Sequence, residues 1–246
     1  MQERKIDRAL RIRVRLGAIE FQVVDLLFIL CLFVFGFLIR WKLMPIESAD
    51  FWGFLEDWMN QIRESGGYRS LDHQISNYTS PYMYIMCLLS YLTENDLYGL
   101  KMVSILFDYA AAVAVFLIIH QMTGQVRKAI LGMGMLLLSP TVIIDSAYWC
   151  QCDIIYTTFI LYALYCFFKN NSKSCLIFLG VAFAFKLQTL FIVPFFLIMW
   201  LKGKTIKLRH FLWIPVVYVI SILPAWMVGR DFKELLLICS LFRDVQ

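Results

Sequence analysis

The sequence predicts an all-α, polytopic membrane protein with about six to seven membrane helices and an amphipathic helix in an outer loop. The first observation is composition: 61% of the 246 residues are hydrophobic and 17% are charged. A soluble domain is nearer to half apolar and about a quarter charged. The second observation is that apolar stretches of about 20 residues, the length that crosses about 30 Å of hydrocarbon, recur along the chain. We therefore treat residues 1–246 as a single transmembrane domain.

Six stretches reach the length of a membrane-spanning helix when ragged ends are allowed. A seventh apolar run, 81–92, would extend only about 18 Å as a helix, which is too short to cross alone. Because both of its ends must then lie on the same side, we expect a re-entrant or interfacial hairpin there. The six predicted spans are 21–43, 97–120, 128–148, 152–169, 175–201 and 208–229.

The net charge of +5 comes largely from the basic residues of segment 1–20. Positive charge in short loops marks the cytoplasmic side, so this segment is predicted to be cytoplasmic. No small-residue cleavage site follows it, which argues against a signal peptide. Its charge indicates topology and attraction to membrane lipid headgroups, not nucleic-acid binding. The same rule places the loops at 127–128 and 169–173 inside and segment 45–80 outside. It also places loop 202–209 outside, where its four cations fit poorly.

The outer segment 45–80 contains a helical pattern of apolar residues. Ser48 is a candidate N-cap, and Gly66 with Gly67 forms a candidate stop. We expect an amphipathic helix that lies on the outer membrane surface, with its aromatic side chains at headgroup level. The apolar positions, at i, i+3 and i+4 spacing, are Phe51, Phe54, Leu55, Trp58 and Ile62.

The seven cysteines and three histidines do not indicate metal or redox chemistry. The histidines are scattered and show no ligand spacing. Cys150 and Cys152 are one residue apart, which fits neither a C-x-x-C redox pair nor a zinc knuckle. We interpret both as small packing residues, and no metal or cofactor is expected.

Ionisable side chains inside apolar stretches are costly and are therefore functional candidates. Lys101 and Asp108 lie seven residues apart, on one face of the same helix. Lys186 lies inside an apolar run of about 27 residues, far from either end. Arg40, close to a helix end, can snorkel to the interface and is given no role.

Such charges around a common cavity fit two classes of protein. In a transporter or lipid flippase they would line a path, with Lys101, Asp108 and Lys186 as its residues. In an enzyme that acts on a lipid-linked phosphate, a cation neutralises the leaving phosphate while a carboxylate deprotonates the attacking hydroxyl. Asp50, an exposed carboxylate just beyond the first helix, favours the enzyme. An inactive, truncated chain is a further alternative.

Several motifs resemble those of polytopic glycosyltransferases of the GT-C superfold, most of all bacterial relatives of the GPI-anchor mannosyltransferase that adds the second mannose. They are Gly-Gly-Tyr at 66–68, segment 76–82, the junction 140–156 with Trp-Cys-Gln-Cys-Asp, and Phe-Ala-Phe-Lys-Leu-Gln at 183–188. The family's junction usually reads Trp-Gly-Gln-x-Asp-Ser. Here Cys150 replaces the glycine, adding a Cβ at a tight turn, and Ile154 replaces the serine. Family members are typically longer, so a truncation is expected.

The resemblance implies transfer of a hexose such as mannose, with inversion, from a polyprenyl-phosphate donor to a glycan or lipid acceptor. The reaction would take place on the non-cytoplasmic face of the bacterial plasma membrane, or of the endoplasmic reticulum in a eukaryote. Asp50 would be the catalytic base, and one cation would suffice because the phosphate leaves as a stable anion. The candidate donor-binding residues are Gln151, Asp153, Lys186, Gln188, Lys101 and Asp108.

Overall fold

The fold of residues 10–203 and 206–237, described from a computed structural model, is nearly all-α. The helices in chain order are α1 (Val23–Leu43), α2 (Glu56–Glu64), α3 (Ser80–Leu92), α4 (Asp96–Thr123), α5 (Val126–Leu137), α6 (Pro140–Ile143), α7 (Asp153–Phe168), α8 (Ser172–Phe185), α9 (Val193–Leu201), α10 (Trp213–Val228) and α11 (Phe232–Leu237). Short π-helical or 3-10 turns lead into, follow or connect them at Phe51–Leu55, Gly67–Asp72, Ile144–Tyr148, Leu187–Ile192 and Leu208–Leu212.

A small β-hairpin precedes the helices and was missed by the all-α prediction. Strand β1 (Arg13–Leu16) pairs antiparallel with β2 (Ile19–Gln22), and Gly17 turns between them at a φ of 61°. Alternation places Phe21 on the apolar face of the hairpin. Its ring stacks on Phe116 of α4 with a centroid distance of 5.8 Å. The hairpin is therefore fixed to the helical bundle by this ring.

Among the described residues, three helical segments are long and apolar enough to cross a membrane: α1, α4 and residues 208–228, with 21, 28 and 21 residues. A fourth would be formed by α5 with residues 140–148, which bend by 50° where they meet. Pro140 lies at the start of α6, where its missing amide hydrogen interrupts the helical bonding of α5. The prediction of a polytopic membrane protein is thus confirmed, with three to four candidate spans.

The remaining predicted spans are shorter or interrupted. Helix α7, within the predicted span 152–169, has 16 residues and extends about 24 Å. The predicted span 175–201 is not one helix: α8 ends at Phe185, and Lys186 is extended at a φ of −155°. A proline within the first turn of α9 then starts a new helix. Lys186 therefore lies at a helix break and not in mid-helix, as its sequence position had indicated.

The break at Lys186 changes the course of the chain. The loop after α9 packs beside the start of α8, where Ser172 Oγ accepts a hydrogen bond of 2.9 Å from the Lys207 amide. His210 Nδ1 lies 2.8 Å from the same hydroxyl. Residues 206–210 are therefore at the same end of the bundle as loop 169–173. The prediction that the two loops lie on opposite sides was wrong, because the break adds a reversal that the hydropathy pattern does not reveal.

Residues 45–95 form a compact unit, here called the outer module. The predicted helix is present: Ser48 Oγ accepts a hydrogen bond of 3.2 Å from the Phe51 amide, and α2 ends before Gly66, which has a φ of 82°. However, Leu55, Trp58 and Ile62 are buried in the protein core, where α2 packs on α3. The expectation that this apolar face lies on the membrane surface was wrong, because α3 covers it.

The run 81–92 belongs to one continuous helix, α3, and the expected hairpin is not formed. At its C-terminal end, Tyr91 Oη donates a hydrogen bond of 2.9 Å to the Gly66 carbonyl and accepts one of 3.1 Å from the Tyr68 amide. At its start, Tyr82 and Met83 are buried in the same core cluster as α2. Both ends of α3 therefore pack within the outer module.

Candidate active site at one end of the helical bundle

Four segments that are distant in sequence meet at one end of the bundle. They are the start of the outer module, the loop before α3, the junction before α7 and the break after α8. Thr79 Oγ1 donates a hydrogen bond of 2.8 Å to the Phe185 carbonyl, and Ser48 Oγ donates one of 2.7 Å to the Trp149 carbonyl. These bonds bring together Asp50, Tyr78, Gln151, Asp153 and Lys186, which we call the junction cluster.

A short chain of side-chain hydrogen bonds leads to Asp50. Gln151 Nε2 donates to Asp50 Oδ2 at 2.5 Å, and Tyr78 Oη donates to Gln151 Oε1 at 3.1 Å. Burial is the largest cause that raises the pKa of the Tyr78 phenol, with the Cys152 thiol next. The phenol therefore stays protonated and acts as the donor. Asp50 is half-buried and within reach of a second molecule.

The backbone of the junction holds Gln151 in place. Its carbonyl accepts a hydrogen bond of 2.8 Å from Ser104 Oγ of α4, and its amide donates one of 2.9 Å to the Asp145 carbonyl. Cys150, just before it, has a φ of 63° and is buried. This left-handed conformation is the one that a glycine adopts without strain.

The thiols of the two junction cysteines are unreactive. Burial raises the pKa of the Cys150 and Cys152 thiols to about 12, so both remain neutral at physiological pH. A neutral thiol is a poor nucleophile and a poor metal ligand. Within the described ranges, no three His, Cys, Asp or Glu side chains converge so as to hold a metal ion.

Lys186 supplies a cation to the junction cluster. Its ammonium forms a hydrogen-bonded ion pair with Asp153, the first residue of α7, and lies 5.9 Å from the centre of the Tyr156 ring. The Lys186 and Asp153 side chains are 21% and 41% exposed. The pair is thus accessible, and a ligand anion can reach Lys186 without unfolding the site.

Two cavities adjoin the cluster, and Asn77 and Tyr78 line both of them. The smaller cavity, of about 160 Å³, contains Asp50 and Gln151 between the aromatic walls Phe54 and Trp58. The larger cavity, of about 570 Å³, contains Lys186 among mainly apolar side chains, and the exposed Gln188 lies at its edge. The lining of the larger cavity comprises Asn77, Tyr78, Thr79, Phe185, Lys186, Leu187, Gln188, Leu190 and Phe191.

The structure does not bring Lys101 to the junction cluster. Its ammonium is fully buried and donates to the carbonyls of Leu43, Met44 and Ile46, the last at 2.5 Å. These carbonyls lie at and just beyond the C-terminal end of α1, where intrahelical donors run out. Lys101 therefore caps α1, and its expected position in the donor site was wrong, because the face of α4 that carries it is turned toward α1.

Asp108 is likewise occupied elsewhere. Its Oδ2 accepts hydrogen bonds of 2.7 Å from Arg40 Nε and 2.5 Å from Ser146 Oγ. Both members of the Asp108–Arg40 pair are fully buried, so the expectation that Arg40 snorkels was also wrong. Opposite charges inside two apolar spans were the signal that could have revealed the pair.

Tyr78 was the site residue that the sequence analysis missed, since it appeared there only within the motif segment 76–82 and was given no role. Its signal in the sequence was weak, because 16% of the chain is aromatic.

Comparison with protein-family models, curated proteins and solved structures finds no match to this chain. The function is therefore argued from the geometry of the junction cluster and its two cavities.

Proposed function

We propose that this chain is an integral membrane glycosyltransferase with a GT-C-like fold, acting on a polyprenyl-phosphate sugar donor. The observation that carries the proposal is that the Asp50 carboxylate and the Lys186 cation, which is paired with Asp153, lie at the same end of the bundle. Asp50 lines the smaller cavity, Lys186 lines the larger one, and Tyr78 lies between them in the walls of both. An acceptor hydroxyl and a lipid-linked phosphate would meet at this wall.

The larger cavity suits the donor. A polyprenyl chain requires an apolar surface and its phosphate requires a cation, and the cavity offers Leu190 and Phe191 beside Lys186. Phe191 is 87% exposed, so the cavity is open to the surroundings at its apolar edge. The donor phosphate would share Lys186 with Asp153, and the positive charge would stabilise the phosphate as it leaves. Gln188, at the edge, would donate hydrogen bonds to the same phosphate.

The smaller cavity suits the acceptor, a glycan or a lipid. Asp50 would remove the proton of the attacking hydroxyl, and attack opposite the leaving phosphate would invert the anomeric centre. Inverting hydrolases use two carboxylates because a poor leaving group needs a general acid. A phosphate leaves as a stable anion, so the single base and single cation of this site suffice. The donor sugar is proposed to be a hexose such as mannose.

The proposed fold requires six to seven passages of the membrane. The apolar helices α7 and α8, with 16 and 14 residues, and residues 187–201 would supply the passages beyond the long helices. Short apolar helices are accommodated by local thinning of the bilayer and by flanking basic side chains. In this arrangement the junction cluster lies on the non-cytoplasmic face, opposite the basic segment 1–20.

The alternative of a transporter or flippase has less support. It would need Lys101, Asp108 and Lys186 to line one path. The ammonium of Lys101 is bound by backbone carbonyls, and Asp108 is held in a buried ion pair. Of these three residues, only Lys186 lines a cavity.

Replacement of Asp50 by asparagine tests the enzyme proposal. Asn keeps the size of the side chain but cannot accept the proton, so turnover should fall about 10²–10⁴-fold. The measurement is sugar transfer from a synthetic polyprenyl-phosphate mannose by the purified full chain in detergent. Asp57→Asn, which changes an exposed carboxylate on α2, is the matched control and should leave transfer unchanged. Turnover of the Asp50 variant within a few-fold of the parent would exclude Asp50 as the base.

A further inference from the structure

We infer that Tyr78 is a positioning residue, which fixes through Gln151 the end of an amide that faces Asp50. This inference rests on the proposed role of Asp50 as the base. It assigns a task to a side chain that has no acidic or basic function of its own in the proposed reaction. The task is to keep a hydrogen-bond donor, and not an acceptor, against the carboxylate.

The two ends of the Gln151 side-chain amide form different hydrogen bonds. One end is an oxygen that only accepts hydrogen bonds, and the other is an NH₂ group that only donates them. Tyr78 Oη donates to the oxygen at 3.1 Å, which leaves the NH₂ group to donate to Asp50 Oδ2 at 2.5 Å. If the amide turned over, its oxygen would face the acceptor Asp50, and the Tyr78 hydroxyl would have to accept a hydrogen bond from the NH₂ group in place of donating one.

The backbone of Gln151 does not prevent such a turn. Ser104 and the Asp145 carbonyl hold its main chain, but neither contacts the amide of the side chain. The hydroxyl of Tyr78 therefore adds its hydrogen bond to the orientation that the Asp50 carboxylate also favours. It keeps its proton, since burial raises the pKa of the phenol.

The ring of Tyr78 is itself held firmly. It packs edge-on against Trp58 with a centroid distance of 5.6 Å and lies 4.8 Å from the ring of Tyr82. Because the same ring lines both cavities, a donor in the larger cavity would lie against the ring whose hydroxyl contacts Gln151.

The test is Tyr78→Phe, which removes the hydroxyl and keeps the ring. We expect kcat to fall about tenfold, the rate equivalent of one hydrogen bond to a charged group, with KM for the donor unchanged. The acidic limb of the pH profile should move to higher pH, because a carboxylate that loses its donor is protonated more readily. Tyr82→Phe, which removes a hydroxyl from the neighbouring ring, is the control and should match the parent.

A second measurement does not depend on transfer. Dicyclohexylcarbodiimide reacts with a protonated carboxyl, so mass spectrometry of the Asp50 peptide reports its protonation at each pH. In Tyr78→Phe the labelling should extend to higher pH than in the parent and in Tyr82→Phe. Unchanged labelling and unchanged kcat, with Asp50→Asn inactive, would overturn the inference and leave the proposed function standing. If Asp50→Asn transfers normally, the proposed function fails, and the shift in labelling alone decides whether Tyr78 orients Asp50.

Discussion

Arg40 is a cation that the bundle stabilises without any access to water. Its guanidinium donates to Asp108 Oδ2 at 2.7 Å, to the Gly36 carbonyl at 3.0 Å and to the Leu137 carbonyl at 2.9 Å. These bonds connect α1 with α4 and with the end of α5. A buried ion pair adds little net stability, but removal of one partner leaves an uncompensated charge in an apolar interior. The pair should therefore be tolerated only when complete.

Replacement of Asp108 by asparagine tests this reasoning. The variant leaves the Arg40 charge buried, and the free energy of unfolding should fall by about 3–5 kcal/mol. The double variant Arg40→Met with Asp108→Leu removes both charges and should recover most of that loss. Chemical denaturation of the detergent-solubilised chain measures both values. A double variant that is no more stable than Asp108→Asn would show that the pair does more than balance charge.

At the scale of residues, the sequence could identify candidates but not which way they face. The structure brings Asp50, Gln151, Asp153 and Lys186 to one end of the bundle, close to the cavities. Lys101, like Lys186, is a charged residue within a predicted apolar span, yet its ammonium caps α1. Whether such a side chain faces the cavities or a neighbouring helix depends on how its helix is rotated about its own axis. That rotation depends on packing between helices, which a single sequence does not specify.

The turn between α2 and α3 illustrates how two adjacent glycines serve different needs. Gly66 and Gly67 both have left-handed backbones, with φ values of 82° and 70°. At Gly66, an added Cβ would find Arg69 Cδ at 3.8 Å, an ordinary contact. At Gly67, it would lie 2.0 Å from the hydroxyl of Tyr91, which fastens α3 to this turn. The first glycine is required only for its conformation, and the second also for space.

Alanine substitution separates the two requirements. Both variants incur the cost of a left-handed alanine, about 1–2 kcal/mol. Gly67→Ala must also displace Tyr91, so its free energy of unfolding should fall clearly further than that of Gly66→Ala. Limited proteolysis should likewise cut within 66–72 faster in Gly67→Ala. Equal stability of the two variants would mean that Tyr91 moves aside at no cost and does not secure the outer module.

At the scale of elements, continuous apolar helices were the most predictable feature. The predicted spans 21–43 and 97–120 agree with α1 and α4 to within three residues at every boundary. Span 175–201 was predicted as one helix because hydropathy shows how apolar a segment is and not whether its helix is continuous. The extended backbone at Lys186 and the new start at α9 leave composition unchanged, so the interruption could be found only in the fold.

Across the whole molecule, the basic loops gather at one end of the bundle. Arg127 at the start of α5 donates a hydrogen bond of 3.1 Å to Gln22, which joins it to the β-hairpin. Helices α4 and α7 run parallel, as the bonds from Ser104 to Gln151 and from Thr158 to Phe107 indicate. The end of α7 therefore lies at this basic end, together with loop 169–173 and loop 202–209. All of these segments then agree with the positive-inside rule.

Site-directed labelling tests this arrangement of the chain. Single cysteines at Lys169, Lys202 and Glu64, all exposed positions, are introduced into a variant that lacks the accessible native thiols. A membrane-impermeant maleimide added to sealed vesicles of one orientation should label Lys169→Cys and Lys202→Cys from the same side, and Glu64→Cys from the other. The pairing of the first two follows from the reversal at Lys186, since an unbroken 175–201 helix would place them on opposite sides. Labelling of Lys202→Cys together with Glu64→Cys would restore the single-helix topology and remove Lys186 from the junction cluster.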